Sequence, residues 1–492
     1  MASSSPCVTL VDPVPDLVFG TGIKTDKESL AKDGVEVTGV AADSVSRLVI
    51  RVRARFQGDR VRLTLWPDGE KTLNGLSSPS GELQTLLPAD GSASGPYVVV
   101  TATNTNKGPM AFALYVPPAD FSRGGEDDIR REREVSLIAS FAPDGDPGVS
   151  DITIKRPPVV LVHGQWGAPE DWYYFRTRLN EHHSTFWPRT ADYNVKPNGS
   201  VSASEPVFSQ SILNKVKAHS LGLDYNAPMV LRFIRDTIAD FHKAEDCAIS
   251  QADVVAHSMG GVITRTLMNL PDYLDVRSFQ RGSVHKLITI GSPHLGSPLA
   301  ARFLSLENTC IRDFLAKFGK ASIATAVVAG KPTTGSTGDL RGDANGTNLS
   351  EALSKLKNAN GHEVPTALIA ATTLPANTLS LDTPCQLCVL GWIRDKCSAN
   401  PLVASLTSSG WNAIFGQPND GMVSLSSQTN GGMGAANIGG VVHSSGLVGA
   451  LGLGFTGPEE LDPDSSASKP VFDRVKQLLN TPIEEEAFHR LP

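Results

Sequence analysis

Ala252-Asp-Val-Val-Ala-His-Ser-Met-Gly-Gly-Val-Ile-Thr264 reads as a strand, a sharp turn and a helix. Val254 and Val255 form the β-branched end of a buried strand, and Ile263, Leu267 and Leu270 recur at helical spacing until Pro271 stops the helix. Between the two segments stands a lone serine, Ser258, with Ala256 and Gly260 two positions to either side. Those flanks must be small, because a serine on a tight strand-to-helix turn is held in a strained conformation, and larger side chains would strike the adjoining strand and helix. The turn lifts the hydroxyl to the carboxyl end of the strand and aims the N–H of Met259 at whatever Ser258 attacks. Such a pentapeptide also arises by chance as an ordinary glycine turn, so the rest of the chain has to separate the two readings.

Outward from this unit the same grammar repeats. Val159-Val-Leu-Val162 is apolar at every position, as a central parallel strand should be, and it runs into His163-Gly-Gln-Trp-Gly167. A helix is predicted near 170–180 and another over 229–245, where Val230, Ile234, Ile238 and Phe241 share one stripe. Apolar runs at 286–292 and 366–373 and a helix over 470–480, with Val471, Val475 and Leu478 inward, complete an alternation of strand and helix. The expected fold class over 156–492 is α/β, a mostly parallel sheet with helices on both faces. Inserts at about 299–362 and 374–416 are long enough to be lids or binding loops. The apolar stretch 321–330 suits either a lid or a packed cap helix.

Residues 1–155 read differently. Ile50, Val52, Ala54 and Phe56 alternate with Arg51, Arg53 and Arg55; Gln57-Gly-Asp59 turns the chain; Val61, Leu63 and Leu65 alternate again. That pattern predicts a hairpin with one buried face and an exposed arginine row. Further strands are expected at 96–103, 110–116, 134–141 and 150–154, which together suggest a smaller all-β sandwich, immunoglobulin-like, ahead of the catalytic domain. The arginine row is either a solvated face or a site for an anionic surface or polymer.

The formal charge of −7 and pI near 5.9 argue against nucleic-acid binding, which needs a clustered positive balance. No apolar run is long enough for a transmembrane span, and Met1–Cys7 has neither the basic nor the apolar region of a signal peptide. Of the six cysteines, Cys385, Cys388 and Cys397 lie close together while Cys7, Cys247 and Cys310 are scattered. Zinc would need a fourth ligand nearby, so a disulfide in the cluster, with Cys310 as a further candidate, is preferred to a metal knuckle, with free thiols next. Asn198-Gly-Ser and Asn345-Gly-Thr are sequons only on a eukaryotic secretory route.

A serine hydroxyl is a weak nucleophile at neutral pH and needs a base, which in turn needs an orienting acid. In this fold the partners follow in the order Ser, acid, His. Asp420, in Gln417-Pro-Asn-Asp-Gly-Met-Val-Ser424, lies in a loop before a short strand, and His443 ends the apolar run Gly439-Gly-Val-Val-His. Among the other ten histidines none has both the order and the context; His257 is expected to project away from the nucleophile, His163 to belong to the oxyanion loop and His294 to lie further back. Asp382 and Asp395 are alternative acids, each read as a surface residue of an insert. The oxyanion hole requires two backbone N–H groups, expected from Met259 and Gln165.

The set Val-His-Gly-Gln-Trp-Gly, Ala-His-Ser-Met-Gly-Gly, Ile-Gly-Ser-Pro-His-Leu-Gly-Ser-Pro, Asn-Asp-Gly-Met-Val-Ser and Val-Val-His resembles the α/β-hydrolase lipases and esterases. It is similar to bacterial triacylglycerol lipases and to the GPI inositol-deacylase-like group, over about residues 156–480. The resemblance implies a triad of Ser258, Asp420 and His443 with Gln165 and Met259 as oxyanion donors, and no cofactor. Ala256 stands where glycine is more usual. Many bacterial lipases hold calcium through an acid soon after the histidine; Ser444-Ser-Gly446 offers none, so no metal is expected. The expected activity is a serine carboxylester hydrolase on apolar or lipid-like acyl esters. An acyltransferase would use the same residues, and a non-catalytic adhesion protein on a hydrolase scaffold is the reading from another class.

Overall fold

The computed structural model describes residues 6–66, 80–141, 146–165, 167–193, 222–305, 335–343, 346–358, 364–373, 379–380, 414–443, 454–455 and 457–491. Val159–Val162 is buried at every position. Side chains alternate across a strand, so Val160 and Val162 join Val254 and Ala256 in a core with the helices Leu223–Glu245 and Met259–Leu267. Val159 and Leu161 face the other way, joining Val255, Ile288 and Ile290 in a second core with Trp172, Phe175 and the helix Lys469–Asn480. A sheet clothed on both faces follows from the apolar run itself.

The strands of this sheet stand in the order Pro188–Thr190, Val159–Val162, Ala252–His257, Val284–Ile290, Pro365–Thr372 and Ala435–Gly439, all parallel. His489–Arg490 adds an antiparallel pairing at the start of Pro365–Thr372. From Val159–Val162 the chain first moves outward to Pro188–Thr190 and then crosses back to Ala252–His257. The order therefore reverses between Val162 and His257, and a crevice opens beyond the carboxyl ends of the strands at such a switch point.

The helix expected from position 229 begins earlier, at Leu223, ahead of Pro228. Its start is set from a distance: Asp339 Oδ2 accepts from the Leu223 N–H at 2.8 Å, and Asn226 Nδ2 donates to Gly222 O at 2.7 Å. The Asp339 contact satisfies an N–H of the kind that every helix start leaves unpaired.

Ahead of the parallel sheet lie two larger β-sheets and the short ribbon Val18–Phe19/Gly22–Ile23. The first runs Val35–Glu36, Cys7–Asp12, Leu48–Arg53, Gly108–Val116, Glu82–Thr85, Ser94–Gly95, with every pairing antiparallel. The second runs Tyr97–Thr101, Arg60–Trp66, Glu132–Phe141, Gly148–Lys155, Gly39–Ala41, Cys247–Ala248. Its last two junctions are parallel, and its last strand comes from beyond residue 155.

The hairpin predicted around Gln57-Gly-Asp59 does not form. Leu48–Arg53 pairs with Cys7–Asp12 and Gly108–Val116, whereas Arg60–Trp66 pairs with Tyr97–Thr101 and Glu132–Phe141 in the other sheet. Ile50 and Val52 meet Val61, Leu63 and Leu65 across a shared core, so alternation marks two inner faces rather than one. The arginine row is also not a single exposed face. Arg51 is buried, its guanidinium donating to the Leu30 and Asp33 carbonyls, while Arg53 and Arg55 are exposed.

Polar side chains tie this β-rich part to the parallel sheet. Asp43 accepts from Ser250 N at 3.0 Å and Gln251 N at 3.1 Å as well as from Val45 N and Ser46 N on its own loop. Lys286, wholly buried, reaches Asp120 Oδ1 at 2.8 Å and Thr481 O at 2.9 Å. His285 bridges Asp253 Oδ1 at 2.7 Å and Ala119 O at 2.8 Å. Glu245 pairs with Lys155 at 3.0 Å and with Arg131.

No described helix is long and apolar enough to cross a membrane. Cys7 and Cys247 are free thiols, the second buried. The stretch 321–330, nearly all of the 374–416 insert, Cys310, Cys385, Cys388, Cys397, Trp166, Asn198, Asn345, Asp382 and Asp395 lie outside the described residues.

Candidate active site

Ser258 follows the last residue of its strand at φ +56°, a left-handed conformation that a non-glycine residue rarely adopts. Such a position costs about 1–3 kcal/mol and is kept where the surroundings over-determine it. Here they do. Ser258 N donates to Ile290 O at 2.9 Å, and Met259 opens the buried helix behind it. A Cβ on Gly260 would stand 2.6 Å from the carbonyl oxygens of Val162 and His163. The requirement for a small residue thus has a steric cause in the neighbouring strand.

Beside the serine runs the loop after Val159–Val162. Gly164 packs directly on the serine: a Cβ there would lie 2.5 Å from Ser258 Cβ and 3.0 Å from its Oγ. Gly167 N closes a turn on Gly164 O at 3.2 Å, and Gln165 Nε2 donates to Thr337 Oγ1 at 3.0 Å, which anchors the loop to a later segment. His163 is buried and stacks on Tyr193 with ring centroids 4.1 Å apart. Gln165 and Met259 therefore flank the serine, from the loop and from the first position of the helix, where an N–H has no intrahelical carbonyl to bond.

Asp420 and His443 hang from the far side of the sheet. Thr373 N donates to Asn419 O at 2.8 Å and Gly440 N to Thr372 O at 2.7 Å, so both loops are tied to the end of Pro365–Thr372. The Gln428 amide bonds Ala371 N and Ala371 O, and its Nε2 also reaches Val423 O at 3.0 Å, which holds the acid turn against the strand. Within that turn Asp420 Oδ1 accepts from Met422 N at 2.8 Å and Val423 N at 2.7 Å. Its Oδ2 lies 2.9 Å from His443 Nδ1, and His443 Nε2 lies 2.7 Å from Ser258 Oγ. The three side chains picked out in the sequence thus meet in one continuous chain of hydrogen bonds, all of them buried.

Two further groups complete the cluster. His257 is part of the same buried cluster: its ring lies 4.6 Å from that of His443, and its Nε2 is 3.0 Å from Glu460 Oε2. Glu460 is fully buried and stands 3.6 Å from His443 Nδ1. Nothing in the local pattern of Pro458-Glu-Glu460 marks it, and it lies well beyond the Ser444-Ser-Gly446 stretch that directly follows His443. His294 sits further back, its Nε2 3.1 Å from Thr289 Oγ1 and its Nδ1 3.3 Å from Arg265.

Burial disfavours the His443 imidazolium, but Asp420 and Glu460 outweigh it and push the imidazole up. Burial pushes the Asp420 carboxyl up, against the opposing pull of His443 and with Glu460 adding to the rise. For Glu460 burial is outweighed by the nearby His443 charge and by the His257 hydrogen bond, which hold it down. Asp420 nevertheless has the shorter contact and three donors. His257, His443 and Glu460 each place a ligand atom within 4.8 Å of the others, an arrangement that could hold a metal ion. The His257–Glu460 hydrogen bond and the 3.6 Å approach of Glu460 to His443 already account for that proximity.

Residues 158–327 match the family model described as "Putative serine esterase (DUF676)". The match spans the Gly164 loop and Ser258 and ends before Asp420 and His443. Over that span the chain is similar to serine esterases. No curated protein matches. Among solved structures, the mature lipase BlEst2 of Bacillus licheniformis is 14% identical over 66% of this chain and 92% of its own, with a TM-score of 0.34. The phospholipase PlaB of Legionella pneumophila is 13% identical over 67% of this chain and 60% of its own, with a TM-score of 0.35. A Pyrobaculum calidifontis esterase is 13% identical over 72% and 86%, with a TM-score of 0.28.

Proposed function

We propose that this protein is a serine carboxylester hydrolase working through an acyl-enzyme, with Ser258 as nucleophile, His443 as general base and then acid, and Asp420 as the orienting acid. The observation that carries the reading is the chain Ser258 Oγ, His443, Asp420 at 2.7 and 2.9 Å. With the His443 proton on Nδ1 and donated to Asp420, Nε2 is left to accept the serine proton as Oγ attacks the ester carbonyl. The proton then passes to the leaving alcohol, and a water activated by the same nitrogen releases the acid. Negative charge on the former carbonyl oxygen develops between the loop and the helix start, where the N–H groups of Gln165 and Met259 are assigned to the oxyanion hole. A lipid-like or otherwise apolar acyl group is the proposed substrate class.

The part before residue 156 is read as an immunoglobulin-like sandwich whose service to the enzyme includes rigidity. Asp43, Asp120 and Lys155 from that part meet Gln251, Lys286 and Glu245 in contacts that are largely buried. Binding to a polymer or lipid surface through the same part is a separate proposal.

Ser258→Ala is the direct test. Turnover of p-nitrophenyl butyrate is expected to fall by about six orders of magnitude if the three residues act as one unit. An alanine variant that melts like wild type and still cleaves the ester at a comparable rate would overturn the assignment.

A further inference from the structure

Glu460 is wholly buried next to the residues assigned to catalysis, although nothing in the proposed reaction requires a second acid. The segment that carries it is zipped to the one that ends in His443: Val442 N donates to Pro458 O at 2.9 Å and Glu460 N to Val442 O at 3.0 Å. The two side chains are therefore positioned as a pair. Oε2 lies 3.0 Å from His257 Nε2 and 3.6 Å from His443 Nδ1, the nitrogen that Asp420 holds at 2.9 Å. Oε1 is buried and has no hydrogen-bond partner among the described residues. Room for the carboxylate is made by Gly291, at φ +57°: a Cβ there would meet both Glu460 oxygens and stand 2.9 Å from His443 Nδ1. A buried carboxylate with an unfilled acceptor is an expensive way to fill space that an apolar side chain could occupy.

We propose that Glu460 is a second acid of the site, a positioning residue that acts through His443 and His257. It shares with Asp420 the charge of the imidazolium formed when Ser258 gives up its proton, and it takes over Nδ1 when Asp420 is removed. The inference rests on the Ser258–His443–Asp420 reading. The titratable groups facing His443 are Asp420, Glu460 and His257, and Asp171 also acts on His257 through its charge. His257 is held neutral, chiefly by burial, and so serves Glu460 as a donor through Nε2–H. A shift of less than about 1 Å would bring Oε2 from its present contact into hydrogen-bond range of Nδ1.

Two carboxylates favour the imidazolium more than one does, and this sets the sign of the test. The second-order constant kcat/KM requires neutral His443 in the free enzyme, so it rises with pH as the imidazole loses its proton. Glu460→Gln removes one negative charge beside that ring, and the acid limb is expected to move to lower pH by about 1–3 units. Glu460→Asp keeps the charge and should leave the limb near its wild-type position. A triad with a single acid loses about 10⁴-fold in kcat when that acid becomes an amide. With Glu460 standing by, Asp420→Asn is expected to lose only about 10–100-fold, and the Asp420→Asn/Glu460→Gln double variant a further factor of about 10².

The experiment is a pH profile of p-nitrophenyl butyrate hydrolysis for wild type and these variants, with melting curves and fluorophosphonate labelling of Ser258 to count folded sites. An unmoved acid limb in a folded Glu460→Gln protein overturns the proposal. So does a full 10⁴-fold loss in Asp420→Asn, a result that stands even if Glu460→Gln fails to fold. Ester cleavage surviving Ser258→Ala would instead overturn the triad itself.

Discussion

Replacing Gly164 with alanine adds a single methyl group where the loop proposed to carry an oxyanion donor packs against Ser258. The new Cβ would lie 2.5 Å from Ser258 Cβ, 3.0 Å from Ser258 Oγ and 3.2 Å from His257 O. Carbon atoms rest at about 3.5–4.0 Å, so either the loop or the serine must give way by roughly 1 Å. The serine is the less free of the two, since Ser258 N is tied to Ile290 O and the helix behind it is wholly buried. The loop should therefore retreat and take the Gln165 N–H out of range of the developing oxyanion. A misplacement of about 1 Å can cost 10²-fold, and loss of one oxyanion donor costs about 10²–10³ in kcat. Overpacking a single methyl group typically destabilises by about 1–3 kcal/mol, so the protein should still fold. Steady-state hydrolysis of p-nitrophenyl butyrate is expected to show kcat down by about 10²–10³ with KM little changed, and fluorophosphonate labelling of Ser258 should slow in parallel. An alanine variant within about threefold of wild type in kcat would refute the argument, because it would mean the loop does not have to stay against the serine.

Two further perturbations test how the frame is held. Lys286→Met should leave Asp120 without its cation, with the Ile483 N–H at 2.9 Å as its remaining hydrogen-bond donor among the described residues and a stability loss of about 3–5 kcal/mol; Lys286→Met/Asp120→Asn should recover most of it, as read from urea midpoints, and equal midpoints for the two would refute the buried pairing. Burial raises the Asp339 carboxyl from its usual range to about 6, so its contribution to stability is fully present below pH about 4 and is lost as pH rises through 6. Asp339→Asn keeps an acceptor for the Leu223 N–H without the charge. Relative to wild type it should gain stability from pH 4 upward, by about 2–3 kcal/mol at pH 8, and a pH-independent difference in melting temperature would refute the assignment.

What could be read from the chain alone was what neighbouring residues encode. The all-apolar run Val159–Val162, the small residues around Ser258 and the stripe through Val230, Ile234 and Phe241 specify local conformation and which faces must be buried. Each signal lies within one or two turns or strands of sequence. The grouping of Ser258, Asp420 and His443 was suggested for another reason, the resemblance of several motifs to α/β-hydrolases, since no local periodicity marks a carboxylate and an imidazole that lie far from the serine in sequence. Tertiary structure decided what depends on partners distant in sequence. Alternation around Gln57-Gly-Asp59 says that two strands each bury one face, but a single hairpin and two facing sheets satisfy that pattern equally; pairing with Gly108–Val116 and Glu132–Phe141 chose the sheets. Arg51 looked like its exposed neighbours until the carbonyls of Leu30 and Asp33 closed over it. Glu460 reaches His443 because the segment after Pro458 folds back on Val442, and His257 meets both at the end of the serine strand. Periodicity records whether a side chain is buried, and the charge or hydrogen bond it meets there is set by the packing of remote segments.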